Sequence, residues 1–179
     1  MKQRLKTKIE NDVEKILKPG DLHVTDKPVV IKTLLGSCLS FILYNKRTKL
    51  AAISHAQLPY EFFKHKCTEN CPVKCNAKTK ADIRSKYVTC STRYMLQQFY
   101  ASGIKKNEID VKIFGGANVL GFSSKQKTVG DKNIDAAYEM IKENGLNLVS
   151  EDVGGEQGRT IYLYADSGTV LVRKHDKSK

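Results

Sequence analysis

Cys38 ends the run Thr33-Leu34-Leu35-Gly36-Ser37-Cys38, where an apolar, strand-like stretch turns through a glycine. His55 ends the next apolar run, Ala51-Ala52-Ile53-Ser54-His55. A thiol exposed at a tight turn, with an imidazole able to reach it, meets the two needs of a cysteine nucleophile, which are access and a nearby base. Gly36 permits positive φ or close backbone approach, and Gly36-Ser37 brings successive N–H groups near the sulfur, where an oxyanion would require them. A cysteine taken alone is more often a small buried hydrophobe. These local features leave both readings open, and the chemistry they suggest is thiol hydrolysis.

The elements that must position the pair are legible around it. Residues 22–34, 38–45 and 49–55 read as strands, the last two joined by the polar turn Asn45-Lys46-Arg47-Thr48. A hairpin of this kind places Cys38 and His55 at its same end. Upstream, Leu5, Ile9, Val13, Ile16 and Leu17 recur at helical spacing until Pro19-Gly20, which predicts an amphipathic helix over 3–17 within an N-terminal segment 1–20. Downstream, Ile83, Tyr87, Cys90, Tyr94, Met95 and Phe99 predict a helix over 81–102 that makes Cys90 a core residue. A strand over 108–114 precedes the turn Gly115-Gly116, and a helix over 131–144 has Asp131 as its expected N-cap and Gly145 beyond its end. Strands over 146–152, 159–165 and 168–173 complete an α+β domain spanning 21–173, followed by the basic tail 174–179. The glycine pairs 115–116 and 154–155 read first as sharp backbone turns, with substrate contact as the second reading, and Asn133 and Arg159 first as structural polar residues, with pocket residues as the second.

Size and charge bound the function. A chain of 179 residues fits one domain with a real core. Nothing resembles a signal peptide or a membrane span, so a cytoplasmic protein without membrane insertion is expected. Thirty-one Lys and Arg against 19 Asp and Glu give +12, a field that attracts acidic partners. These cations are scattered and no nucleic-acid motif accompanies them, so the charge reads as a solvated face and no nucleic-acid partner is expected.

Leu35-Gly36-Ser37-Cys38, His55 with Leu58-Pro59, Phe114-Gly115-Gly116-Ala117-Asn118, Gly130-Asp131-Lys132-Asn133 and Gly154-Gly155-Glu156-Gln157-Gly158-Arg159 occur in an order that resembles the CheD chemoreceptor glutamine deamidase family. Each motif is commonplace, whereas their ordered combination from about residue 20 to 173 is specific. The resemblance implies a single-domain β-sheet sandwich core flanked by helices. It also implies conversion of glutamines of methyl-accepting chemoreceptors to glutamate through a cysteine thioester with release of ammonia. Cys38 would be the nucleophile, His55 the acid and base, and N–H groups about Gly36 and Ser37 the oxyanion donors, with no cofactor for catalysis. The family's third member is a threonine on the strand entering the turn. Here Lys32 stands six residues before Cys38 and Thr33 five before it, so Thr33 is the candidate, with Ser37 or a backbone carbonyl as substitutes. The alternative is a noncatalytic module that engages a CheC-type chemotaxis phosphatase. A cysteine peptidase would share the acyl-enzyme chemistry.

Magnitudes place the weight on His55. Lowering a thiol pKa by about two units raises its thiolate fraction at pH 7 roughly 25-fold but cuts its nucleophilicity about eightfold, a net gain of only about threefold. Proton delivery to a poor leaving group supplies roughly 10²- to 10⁴-fold.

A stretch at about 60–80 looks longer than is usual in the family and carries His65, Cys67, Cys71 and Cys75. Three thiolates and an imidazole could close a structural Cys3His zinc site, although the spacing is not the common C-x2-C and Pro72 interrupts any single helix. The other reading is a loop with incidental thiols. Five is an odd number of cysteines, and a reducing compartment argues against a disulfide framework, so thiols or metal ligands are expected.

Overall fold

The computed structural model describes residues 13–60, 85–119, 121 and 126–176. Among the described residues, nine strands and two helices follow one another as β1 (Val13–Ile16), β2 (Leu22–Thr25), β3 (Val30–Leu35), β4 (Leu39–Tyr44), β5 (Ala51–Ser54), α1 (Val88–Ala101), β6 (Asp110–Gly115), α2 (Val129–Asn144), β7 (Asn147–Val153), β8 (Arg159–Tyr164) and β9 (Thr169–Lys174). They form a four-stranded sheet in the order β1-β3-β8-β9 and a five-stranded sheet in the order β2-β5-β4-β6-β7. The expected α+β sandwich is what the chain adopts. Among the described residues, no helix is long and apolar enough to cross a membrane.

Strand β4 shows how the layers stack. All six of its residues are buried, because both of its faces are covered. Leu39, Phe41 and Leu43 face the helices, packing with Met95 and Phe99 of α1 and Ala136, Ala137 and Met140 of α2. Ile42 faces the other sheet and joins Ile31 and Leu35 of β3 and Ile161 and Leu163 of β8. Burying each such aliphatic side chain contributes roughly 1.5–3 kcal/mol, so the two apolar layers fix the relative placement of helices and sheets. The chain passes from one sheet to the other through Gly36, Ser37 and Cys38, between β3 and β4.

Three local expectations are corrected. Within the helix predicted over 3–17, Val13–Ile16 forms a strand instead, which pairs in parallel with β3; residues 1–12 lie outside the described residues. The single strand expected over 22–34 is two strands in different sheets, because Asp26-Lys27-Pro28 breaks it and proline cannot continue a ladder. Helix α2 starts earlier than predicted: Thr128 is the N-cap, and Asp131 is the reciprocal member of a capping box, receiving the Thr128 backbone N–H at 2.9 Å. Gly145 ends that helix in the left-handed conformation, as expected.

Candidate active site at the sheet crossover

Cys38 and His55 are brought together by the β4–β5 pairing. Leu39 and Ala56 exchange both backbone hydrogen bonds, each at 2.8 Å. Cys38 precedes Leu39 and His55 precedes Ala56, so the two are diagonal neighbours on the face opposite Leu39 and Ala56, a relation that sets residues about 7–8 Å apart, with Cβ atoms somewhat closer, within reach of long side chains. That face is the one turned toward the four-stranded sheet. The backbone of His55 is held by the turn before β2, with its N–H donating to the Asp21 carbonyl at 2.9 Å and its carbonyl accepting from Gly20 at 2.8 Å.

Thr33 comes from the other sheet. It shares the inward face of β3 with Ile31 and Leu35, and its Oγ1 lies 2.7 Å from His55 Nδ1 and 2.8 Å from the Leu17 carbonyl. A hydroxyl has one proton and a carbonyl only accepts. Both contacts are satisfied when Thr33 donates to Leu17 and accepts from Nδ1–H. The neutral imidazole then carries its proton on Nδ1 and presents the lone pair of Nε2, the tautomer a base needs. The displacement of Thr33 by one position from the family pattern does not remove it from His55.

Electrostatics favour a neutral pair. Burial pushes the Cys38 thiol above its ordinary 9.0, with its own backbone N–H lying against the sulfur as a partial offset. Burial likewise holds His55 below its ordinary 6.5, opposed in part by the Leu17 carbonyl and the Asp21 charge. At neutral pH the site rests as thiol and imidazole rather than as an ion pair.

The crossover is held from the side of β6 and α2. The Gly36 carbonyl accepts from Ala117 N–H and the Cys38 carbonyl from Gly116 N–H, both at 2.8 Å. Asn133 Nδ2 donates to the Ser37 carbonyl at 2.9 Å and to the Gln57 carbonyl at 3.1 Å. Gly36 itself does not adopt positive φ, and a Cβ there would meet only Val119 at 3.5 Å. The demanding glycine is Gly115, with φ +109° and room for no side chain, since a Cβ would sit 2.2 Å from the Cys38 carbonyl oxygen. The second glycine pair closes the same region: Gly154 N–H donates to the Gly115 carbonyl and Asn118 N–H to the Gly155 carbonyl, both at 2.8 Å. Arg159, 1% exposed, braces that loop through the Asp152 carboxylate and the Gly154 carbonyl. Cys90 is buried on α1, as expected. His65, Cys67, Cys71 and Cys75 lie outside the described residues.

Sequence reasoning treated Asn133 as ordinary structure and missed that one side chain joins the segment before the cysteine to the segment after the histidine. Its place in Gly130-Asp131-Lys132-Asn133, on the buried stripe of α2, was the available signal.

An imidazole bonded to a hydroxyl thus lies diagonally across a strand pair from a thiol, where two sheets of an α+β sandwich exchange the chain. The chain belongs to the CheD family: the family model for CheD chemotactic sensory transduction matches residues 72–174. Among its relatives, the "Probable chemoreceptor glutamine deamidase CheD 2" of Geobacter sulfurreducens is 33% identical over 163 residues, 91% of either chain. The "Probable chemoreceptor glutamine deamidase CheD" of Methanococcus maripaludis is 36% identical over 91% of this chain and 96% of its own. That of Maridesulfovibrio salexigens is 31% identical over 94% and 96%.

Proposed function

We propose that this protein deamidates glutamine side chains of methyl-accepting chemoreceptors in chemotaxis adaptation, acting in the cytoplasm. The observation that carries the reading is the Thr33–His55 contact, which occupies Nδ1 and leaves Nε2 as the base, on a residue that shares a sheet face with Cys38. The names of the relatives supply the substrate class.

In this mechanism Nε2 takes the thiol proton as Sγ attacks the carboxamide carbon, and the C=O electron pair moves onto oxygen. Ser37 and Cys38 N–H are the oxyanion donors, in a turn whose carbonyls are held by Ala117, Asn133 and Gly116. Collapse of the adduct breaks the C–N bond while Nε2–H protonates the departing nitrogen, giving ammonia and a thioester. Water, deprotonated by Nε2, attacks the thioester; the oxyanion re-forms, thiolate leaves and is reprotonated, and the side chain is now glutamate. No cofactor takes part in these steps.

The test is incubation of purified protein with a receptor fragment, reading ammonia and intact mass. Each modified site should gain about one dalton, the difference between an amide and an acid, without any peptide cleavage. Cleaved peptide would indicate a peptidase. Fragment or CheC-type phosphatase binding without ammonia would favour the noncatalytic module, for which the excess of cations offers an acidic-partner surface. Binding of a CheC-type phosphatase is also compatible with the enzyme reading and then competes with receptor.

A structural zinc held by His65, Cys67, Cys71 and Cys75 is proposed from spacing alone. Denaturing the protein in the presence of a colorimetric chelator should release about one zinc per chain, and native protein free of zinc would end the idea.

A further inference from the structure

We propose that Asn133 is a positioning residue of the reaction: through the Ser37 carbonyl it aims the Cys38 backbone N–H at the oxygen of the reacting carboxamide. The inference rests on Cys38 being the nucleophile and goes beyond it by assigning what orients the oxyanion donor.

The two ends of a trans peptide point in opposite directions, so fixing the carbonyl of Ser37 fixes the N–H of Cys38. Asn133 Nδ2 holds that carbonyl at 2.9 Å from the α2 side. The Cys38 N–H is thereby turned away from α2 and toward its own sulfur, where it lowers the thiol's pKa against the effect of burial. A donor lying against the attacking sulfur is also where the oxyanion of the tetrahedral adduct forms. Among the described residues, neither the Ser37 nor the Cys38 N–H donates to another backbone carbonyl.

The same amide is bonded at 3.1 Å to the Gln57 carbonyl, two residues beyond His55. A single side chain therefore ties the nucleophile's turn to the strand end that carries its base. Its orientation is not arbitrary, since rotating the amide would set Oδ1 against two carbonyl oxygens. Asn133 is fully buried and its Oδ1 has no hydrogen-bond partner among the described residues. Packing alone does not call for an amide that leaves one end unsatisfied, and the Nδ2 donor is what an apolar residue of the same size could not supply. The helix start that carries it is fixed separately, by the Thr128–Asp131 capping box.

The experiment compares wild type, Asn133→Ala, Asn133→Leu and Thr128→Ala, reading kcat and KM for ammonia release from a receptor fragment, the rate of iodoacetamide alkylation of Cys38, and Tm. Alkylation is a displacement at saturated carbon and forms no oxyanion, so it separates the donor from the thiol. For whichever Asn133 variant folds, kcat should fall about 10²-fold, the scale of losing one oxyanion donor, with KM within about twofold and alkylation slowed by no more than about fivefold, the share the N–H takes in thiol acidity. Thr128→Ala should lower Tm with kcat retained. A folded Asn133 variant with kcat within threefold of wild type overturns the inference, as does a parallel loss of kcat and alkylation, which would mean that the whole turn collapsed. Absence of ammonia from wild type would overturn the deamidase reading as well, whereas the former results leave that reading standing.

Discussion

Replacing Cys38 with alanine should reduce ammonia release by about 10⁴-fold or more, and replacing His55 with alanine should cost nearly as much while leaving a thiol that still alkylates. The asymmetry follows from the resting state. Cys38 is already held protonated by burial, so His55 contributes little to thiol acidity and much to moving the proton. Without Nε2 the adduct has no donor for its nitrogen, and it returns to amide instead of expelling ammonia. Iodide needs no proton, so alkylation of the His55→Ala protein should stay within about threefold of wild type at neutral pH. The pH profile of kcat/KM reports the same arrangement. Activity should rise as His55 loses its proton below pH 6.5, because a protonated imidazole cannot act as base. It should fall only above pH 9, as the thiol loses the proton that the leaving group later receives. An alkaline limb below pH 8, or ammonia release surviving in His55→Ala, would count against a neutral pair.

The second large effect is expected at Gly115→Ala, and it is one of stability as much as activity. A methyl group at this position would lie 2.2 Å from the Cys38 carbonyl oxygen, and the backbone φ of +109° disfavours any L side chain. Overpacking costs about 1–3 kcal/mol and the strained backbone a similar amount, so roughly 3–4 kcal/mol is expected in total. For a domain of this size that lowers Tm by about 6–16 °C. Gly103→Ala is the matched control: φ is +72° there, but nothing stands within 4 Å of the added carbon. Its cost should be confined to the backbone, about 1–2 kcal/mol. Equal melting temperatures for the two variants would show that β6 yields to the methyl, and that the close approach to Cys38 does not constrain the turn.

Sequence patterns revealed the elements whose evidence is local. The β4–β5 hairpin, α2 and the three final strands follow from short-range alternation, helical spacing and glycine stops, and the hairpin was enough to place Cys38 with His55. The N-terminal segment failed because its signal is shared. Val13, Ile16 and Leu17 suit a helix, but Leu17 is drawn into the sandwich core and the segment is claimed by β3, a pairing with residues well along the chain that no local window contains. Pro28 and the Thr128-x-x-Asp131 box mark the other two corrected boundaries within the local sequence. Thr33 illustrates a different limit. The family resemblance could name it as a candidate, but its contact with His55 spans two sheets and depends on how they stack. The need for glycine at 115 was invisible for the same reason, since the atom that excludes a side chain belongs to residue 38.

Because the hydroxyl hangs from one sheet and the imidazole from the other, their 2.7 Å contact works as a gauge of how the sheets are stacked. A slide of either layer by about 1 Å would stretch it beyond hydrogen-bond range. The apolar residues between the sheets, Ile31, Ile42, Ile53 and Ile161, carry no chemistry, yet their volumes set that distance. Substitutions among them that an inert sandwich would absorb by shifting are therefore restricted by the reaction at its rim, and the tolerance of this core to drift is narrower than its stability alone would require.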